Sequence, residues 1–233
     1  MQHVPVMVEE VMEALGGLQT GLVIDGTLGL GGHSEAWLQR TPPPIKLIGL
    51  DRDPAAVAMA RERLTPFGDR VECRHASYDQ IPEILRELGR THADRILLDL
   101  GLSSAQLAEP RGFSFAVDAP LDMRFDPTSG PTAADIIRQS SEMELAAGLM
   151  DFGDVPRAQR LAGILKDRAR AGRMGTVSEF VDACRTALGS RVRSMDSATL
   201  PAQALRIMTN RELERLRSIL DALPEVLAPG GRI

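Results

Sequence analysis

The first hundred residues alternate short apolar runs with amphipathic stretches, and this alternation constrains the fold more than any other feature of the chain. One of the amphipathic stretches is a helix that begins at Pro54, with Asp53 as its N-cap. Alternation of this kind is typical of βαβ units, so the sequence predicts an α/β fold with an open parallel sheet. The four predicted strands are residues 22–25, 46–50, 71–75 and 95–99.

Beyond Arg111 the pattern changes to a loop-rich stretch followed by helical segments with no strand between them. These segments are residues 132–150, 157–171 and 177–188. We therefore expect a discontinuous α/β domain from residues 1–108 and 200–233, with a helical insertion at residues 109–199. A long amphipathic helix is expected at residues 203–227, and residues 227–233 are expected to form the turn into a fifth strand.

Charge is distributed unevenly along the chain. The net charge of the 233 residues is −5, yet residues 157–217 contain thirteen basic side chains and six acidic ones. A basic segment suits a protein that approaches nucleic acid, because Lys and Arg displace counterions from phosphate. An ordinary solvated helix surface explains the same pattern.

Other classes of protein find little support in the sequence. No apolar run approaches the roughly 20 residues needed to cross a bilayer, and the first ten residues lack the pattern of a secretory signal. We therefore expect a cytoplasmic protein without membrane contact. Cys73 and Cys184 lack the spacing of a disulfide framework or a zinc site, so no metal is expected.

Glycines and carboxylates follow the predicted strands. The first strand runs into Asp25-Gly-Thr-Leu-Gly-Leu-Gly-Gly-His33, the second ends at Asp51 and the fourth at Asp99. Ligands of open α/β sheets bind beyond the carboxyl ends of the strands, and a carboxylate at the end of the second strand suits ribose hydroxyls. The glycine run predicts close approach of the backbone to a ligand, although a tight turn alone would also use it.

The glycine run differs from a dinucleotide fingerprint in two ways. Ser34 stands where the third glycine would be, and Asp25 would repel a pyrophosphate. S-adenosylmethionine, whose amino acid portion is positively charged, fits both features better than a nicotinamide cofactor.

Six motifs, taken in order, resemble the small-subunit ribosomal RNA methyltransferase H family, also called MraW. They are His3-Val-Pro-Val-Met-Val-Glu-Glu10, Asp25-Gly-Thr-Leu-Gly-Leu-Gly-Gly-His33, Asp51-Arg-Asp-Pro54, Asp99-Leu-Gly-Leu-Ser-Ser-Ala-Gln106, Arg111-Gly-Phe-Ser-Phe115 and Pro120-Leu-Asp-Met-Arg124. The resemblance implies a class I, Rossmann-like methyltransferase fold. It also implies methyl transfer from S-adenosylmethionine to the exocyclic amino group of a cytidine in the decoding region of small-subunit ribosomal RNA, with that RNA or the 30S subunit as partner.

The resemblance also implies a set of cofactor-binding residues. They are Gly31, Gly32, His33, Asp51, Tyr78, Asp99 and Gln106. Tyr78 follows the third strand, where its ring would pack near adenine; a half-buried core tyrosine is the alternative.

Asp99 is the predicted catalytic residue, because an acceptor there would hold an amino hydrogen of cytosine and aim the nitrogen at the methyl group. No aromatic residue adjoins Asp99, so we hypothesise that Phe113 or Phe115 stacks on the base. Both rings would otherwise anchor the insertion to the sheet. Arg124, with Asp122 two positions earlier, either binds a phosphate or pairs locally.

Members of the family continue beyond the position of Ile233 with a fifth strand and two more. The sequence therefore predicts a sheet whose C-terminal strands are missing, with an exposed edge. Two alternatives to an active methyltransferase follow. One is a catalytically impaired module that binds RNA or a protein partner and retains cofactor binding, and the other is a nicotinamide-dependent enzyme.

Overall fold

The computed structural model describes residues 5–192 and 195–233. His3 and Val4 of the first motif, and Arg193 of the basic segment, lie outside the described residues. The chain divides into two compact units, of which the first is Met1–Gly101 with Glu214–Ile233 and the second is Leu102–Leu213.

Helices and strands alternate in the first unit and helices dominate the second. The helices are α1 Val8–Leu15, α2 Gly32–Arg40, α3 Pro54–Leu64, α4 Ile81–Glu87, α5 Ser104–Ala108, α6 Ala133–Gln139, α7 Glu142–Gly153, α8 Ala158–Arg170, α9 Val177–Leu188, α10 Thr199–Asn210 and α11 Glu212–Val226. The strands are β1 Gly21–Asp25, β2 Ile45–Asp51, β3 Val71–His75, β4 Ala93–Leu97, β5 Arg191–Val192, β6 Met195–Asp196 and β7 Leu227–Arg232.

The first unit contains a five-stranded sheet in the order β3-β2-β1-β4-β7. Each neighbouring pair in it is parallel. The chain winds outward from β1 to β3 and then returns to the other side of β1, so the order reverses between β1 and β4. A reversal of this kind opens a crevice at the carboxyl ends of the two strands.

Both faces of this sheet are covered, which explains the continuous apolar runs of its strands. Ile24 contributes to a core that also contains Ile81 of α4 and Ile219 of α11. The preceding residue, Val23, contributes to the opposite core together with Trp37 of α2. Successive side chains of a strand point to opposite faces, so one apolar run supplies both cores. The predicted α/β fold with a parallel sheet is confirmed.

Strand β4 ends two residues earlier than expected. After Leu97 the backbone leaves the ladder, and the amide of Asp99 donates to Oγ1 of Thr27 at 2.6 Å instead of to a neighbouring strand. Asp99 therefore lies in the loop beyond the strand.

The C-terminal region also differs from expectation. The predicted helix at residues 203–227 is divided into α10 and α11, because Arg211 takes a left-handed conformation with φ 52°. Residues 227–232 form a strand rather than a turn, since β7 pairs with β4. Its register is irregular, with Ala93 opposite Leu227 and Arg95 opposite Arg232, and Gly230 within it has φ 75°.

Several helices of the second unit begin with a reciprocal capping box, in which a hydroxyl and a longer polar side chain bond each other's backbone N–H. The pairs are Ser103 with Gln106, Thr132 with Asp135, Ser141 with Glu144, and Thr176 with Glu179. The predicted helix at residues 132–150 is divided for this reason, since Ser141 caps a new helix. The antiparallel pairing of the two-residue strands β5 and β6 was not expected.

Within the described ranges, no helix has the length and apolar character needed to cross a membrane.

Candidate cofactor and active site

The loops of the site start from fixed positions at the carboxyl edge of the sheet. The amide of Gly26, after β1, donates to the carbonyl of Leu97 at 2.9 Å. The amide of Leu28 donates to Leu50 of β2, also at 2.9 Å. These bonds extend the parallel ladder by one step beyond β1 and hold the glycine loop against both neighbouring strands.

Asp25 fastens this loop to helix α2. Its carboxylate accepts hydrogen bonds from Oγ of Ser34 at 2.7 Å and from the amide of Thr27 at 3.2 Å. Burial raises the pKa of Asp25 to about 6, against the lowering effect of these hydrogen bonds and of the nearby His33. Both oxygens thus have partners within the protein.

Asp51, at the end of β2, occupies the position expected for a ribose-binding carboxylate. Its two oxygens accept hydrogen bonds from the amides of Gly29, at 2.7 Å, and Asp53, at 2.8 Å. Burial raises the pKa of Asp51 above its ordinary value, and these amides oppose the shift. A carboxylate oxygen has more than one lone pair, so each can also accept a bond from a ligand hydroxyl.

The glycines of the loop serve different purposes. A Cβ on Gly31, which has φ 78°, would lie 3.3 Å from Ala60 and Leu64 of α3, and one on Gly32 would clash with Pro5. The clash with Pro5 explains Gly32. Gly31, like Gly29 with φ 51°, takes a left-handed conformation that itself favours glycine. A Cβ on Gly29, by contrast, would meet only the Thr27 carbonyl oxygen, at 3.9 Å, so the space beside this backbone is open.

His33 and Asp99 approach each other at the start of α2. Nε2 of His33 lies 2.9 Å from the carbonyl oxygen of Val6. A carbonyl only accepts, so this contact places a proton on Nε2. Nδ1 then faces Asp99, at 4.0 Å from Oδ2. The Asp99 side chain is 57% exposed, which leaves its carboxylate accessible to a substrate.

Tyr78 is buried in a core of the first unit, with 9% of its surface exposed. A Cβ on Gly26 would lie 2.9 Å from Cβ of Tyr78, so this side chain packs beneath the glycine loop. This placement is that of a core tyrosine, the alternative to a ring stacked near adenine. Tyr78 packs against the glycine loop at Gly26.

Gln106 and Arg124 lie in the second unit. Oε1 of Gln106 accepts from the amide of Ser103 at 3.0 Å, which completes the capping box of α5. Arg124 binds Asp122 through Nε and Nη2, each at 2.7 Å. Although burial raises the pKa of Asp122, the hydrogen bonds and charge of Arg124 prevail and lower it. Of the two roles considered for Arg124, the geometry matches local pairing.

Phe113 and Phe115 line one pocket of the second unit. Phe113 stacks on Phe125, with ring centroids 5.8 Å apart and planes at 26°. Phe115 is 37% exposed. The sequence had not indicated that Gln203 and Arg206, almost ninety residues later, line the same pocket. These two residues belong to the stretch that the sequence predicted as a long amphipathic helix, and helical periodicity gives no information about distant partners.

The residues of the first unit fit S-adenosylmethionine. Open space beside the Gly29 backbone admits a ligand, and Asp51 offers acceptors for ribose hydroxyls. Among the described residues, no group of His, Cys, Asp and Glu side chains is arranged to hold a metal ion. A doubly wound parallel sheet with this loop and an exposed carboxylate after β4 defines the class of S-adenosylmethionine-dependent methyltransferases.

Comparison with known proteins gives the family. The chain belongs to the MraW methylase family, whose sequence profile matches residues 1–233. Two relatives, both called ribosomal RNA small subunit methyltransferase H, come from Cutibacterium acnes and Sorangium cellulosum. The first is 43% identical over 99% of this chain and 70% of its own length. The second is 41% identical over 99% of this chain and 73% of its own length.

A solved structure titled as a putative rRNA methylase from Clostridium thermocellum covers 42% of this chain and 53% of its own chain. Its TM-score of 0.35 and identity of 16% are too low to support a conclusion. The prediction of an S-adenosylmethionine-dependent methyltransferase is confirmed by the family. No comparison tests the individual site residues or the expected domain boundaries, which stay predictions.

Proposed function

We propose that this chain methylates the exocyclic amino group of a cytidine in 16S ribosomal RNA, in the cytoplasm, with the RNA or the 30S subunit as partner. The observation that carries the proposal is the similarity to relatives named as small-subunit ribosomal RNA methyltransferases, which extends over 99% of this chain. This similarity therefore extends over both compact units. A nicotinamide-dependent enzyme finds no support in these relatives.

Asp99 acts on the substrate by positioning it. The lone pair of a cytosine amino group is delocalised into the ring, so the nitrogen is a poor nucleophile. The Asp99 carboxylate accepts a hydrogen bond from one amino hydrogen and so orients the nitrogen. The amide of Asp99 is itself held by Thr27, which fixes the loop that carries the carboxylate.

S-adenosylmethionine, when bound, supplies an electrophilic methyl group. Asp51 accepts hydrogen bonds from the ribose hydroxyls, and the open backbone at Gly29 allows close approach. Gly31 and Gly32 contribute backbone groups at the start of α2, and Tyr78 supports the loop from below. His33 completes the proposed set of contacts within the first unit, and the assignment of Gln106 rests on the family resemblance alone.

The second unit provides RNA recognition in this proposal. The expected insertion, residues 109–199, lies within Leu102–Leu213. Much of the basic segment belongs to this unit, and Phe113 and Phe115 are its candidate base contacts. Arg124 is assigned to the support of its own loop, since Asp122 holds its guanidinium.

The test is methylation of an unmodified transcript of small-subunit ribosomal RNA and of reconstituted 30S subunits. Nucleosides from the digested product are separated by mass spectrometry, and we expect N4-methylcytidine. Asp99→Ala should abolish its formation, while Asp69→Asn, at an exposed position of the first unit, should leave it unchanged. Binding of S-adenosylhomocysteine without any methylated cytidine would refute the proposal and favour an impaired binding module.

A further inference from the structure

A pocket of about 240 Å³ lies within the second unit. One of its walls comes from α10 and the other from residues that follow β4 and α5 in sequence. Its lining residues are Leu102, Gly112, Phe113, Phe115, Met123, Thr199, Ala202, Gln203 and Arg206. The lining is mainly apolar, with its polar groups concentrated on α10.

Helix α10 presents two different faces. Ala204 and Leu205 are buried in the core of the second unit. Thr199, Gln203 and Arg206, at positions i, i+4 and i+7, line the pocket. Residues at this spacing share one side of a helix, so the core fixes the helix while the polar face remains available. Gln203 is exposed, and its amide can both donate and accept.

The opposite wall is held by buried polar contacts. Asn210 donates to the carbonyl of Met123 at 2.7 Å and accepts from the amide of Phe125 at 2.8 Å. Met123 has φ 58°, and its amide donates to the carbonyl of Arg111 at 2.7 Å. A Cβ on Gly112 would lie 3.0 Å from the carbonyl oxygen of Pro120. These contacts hold the wall of the pocket that contains Gly112 and Met123.

The two aromatic rings of the pocket differ. Phe113 stacks on Phe125 and has the Arg111 guanidinium carbon 5.7 Å from its centroid, so it is part of the wall. Phe115 is partly exposed and can present its ring to a ligand. Arg206 is bound by Glu212 through Nε at 2.8 Å and Nη2 at 3.1 Å. This pairing offsets the cationic charge, so the pocket favours a neutral planar ligand over a phosphate.

We propose that this pocket binds one unpaired base of the substrate RNA, with Phe115 stacking on the base and Gln203 hydrogen-bonding to its polar edge. The inference rests on the proposed function, because RNA is the source of the base. Recognition of RNA sequence by proteins depends mainly on unpaired bases, which stack on aromatic side chains and expose their edges. A volume of about 240 Å³ accommodates a base, and the amide of Gln203 matches donors and acceptors together.

The test compares fluorescently labelled heptacytidylate with the same strand in a duplex, by anisotropy at fixed salt. The duplex hides the base faces and edges. Phe115→Leu should weaken single-strand binding about tenfold, within the range expected for loss of base stacking. Gln203→Leu should weaken it about tenfold because the polar edge of the base loses its hydrogen-bond partner. Gln159→Leu is the matched control, since Gln159 is exposed on α8 in the same unit. Circular dichroism checks that each variant is folded.

Irradiation of a 5-iodocytidine strand should also attach the RNA to Phe115, as peptide mass mapping would detect. Equal RNA binding by the wild type and both pocket variants, with crosslinks at other residues, would overturn the pocket inference. In that case, formation of N4-methylcytidine by the same chain would still support the proposed function. The opposite result is also possible: both pocket variants bind single-stranded RNA more weakly, yet the wild-type chain forms no N4-methylcytidine. That result would support the pocket inference and refute the proposed function.

Discussion

Asp25→Asn tests whether the buried carboxylate beneath the glycine loop costs stability at neutral pH. Asp25 is 2% exposed, and its pKa is raised from 3.8 to about 6 because burial disfavours the charged form. Asparagine has nearly the same shape and can accept from the Thr27 amide. Ser34 can then act as acceptor where it now donates. The substitution therefore removes the charge and keeps the packing.

The sign of the effect follows from proton binding. Between about pH 4 and pH 6 the unfolded chain has released the Asp25 proton and the folded chain retains it. The free energy of unfolding then falls as pH rises, by about 1.4 kcal/mol per pH unit. A shift of about two units gives a loss of roughly 3 kcal/mol from this group between pH 4 and pH 7. Asp25→Asn should remove that loss, so the variant gains stability relative to the wild type as pH rises.

Trp37 makes the measurement specific to the first unit. It is the only tryptophan of the chain and lies buried in a core of that unit. Urea unfolding followed by its fluorescence, at several pH values from 4 to 8, gives the difference between wild type and variant. Asp69→Asn is a control of opposite sign. The hydrogen bond from Lys46 lowers the pKa of Asp69, so its stabilising contribution is lost as pH falls.

A difference between wild type and Asp25→Asn that stays constant from pH 4 to pH 8 would refute this reasoning. It would mean that Asp25 titrates alike in the folded and unfolded chains. A variant that lost stability equally at each pH would point instead to the hydrogen bond from Ser34 as the main contribution of Asp25.

Three further outcomes are expected. Asp51→Ala should weaken S-adenosylhomocysteine binding at least about tenfold in calorimetry, because the ribose loses its acceptor; equal affinity would exclude that role. Lys166→Met should destabilise the second unit by about 2–3 kcal/mol, measured by hydrogen exchange of its amides. The reason is that Nζ of Lys166 donates to three carbonyls at the end of α6, those of Ile137, Arg138 and Ser140. Unchanged protection of these amides would contradict this. Asn210→Ala should speed exchange of the Phe125 amide, which loses its acceptor; slow exchange would show that other contacts hold it.

The sequence predicted those features of the fold that local chemistry controls. Asp53 caps α3 as expected, accepting from the amide of Ala55 at 3.0 Å, with Pro54 at the first helical position. The four strands of the first hundred residues were found because both faces of the sheet are buried. The division between α6 and α7 was also accessible, since Ser141 and Glu144 have the spacing of a capping box.

Other features depend on residues that are distant in sequence. Arg211 takes a left-handed conformation, which is uncommon outside glycine, so no residue type marked the break between α10 and α11. Gly31 and Gly29 are alike in sequence and both have a positive φ, yet Ala60 and Leu64 lie beside the first, while open space adjoins the second. The pocket of the second unit joins Phe115 to Gln203, and periodicity alone gives no means to pair them.

The N-terminal motif had a family resemblance but no independent chemical explanation, and the structure supplies one for its described part. Pro5 fills the space that a side chain at position 32 would need, and the carbonyl of Val6 binds Nε2 of His33. That bond directs Nδ1 of His33 toward Asp99, whose amide is in turn held by Thr27. Backbone and side-chain contacts from separate loops thus hold His33 and Asp99 in place. In the proposed function, this arrangement lowers the entropy cost of positioning a substrate. Because Val6 contributes its backbone carbonyl and the residue as a whole is 67% exposed, the conformation of this segment matters more than the side chain at position 6.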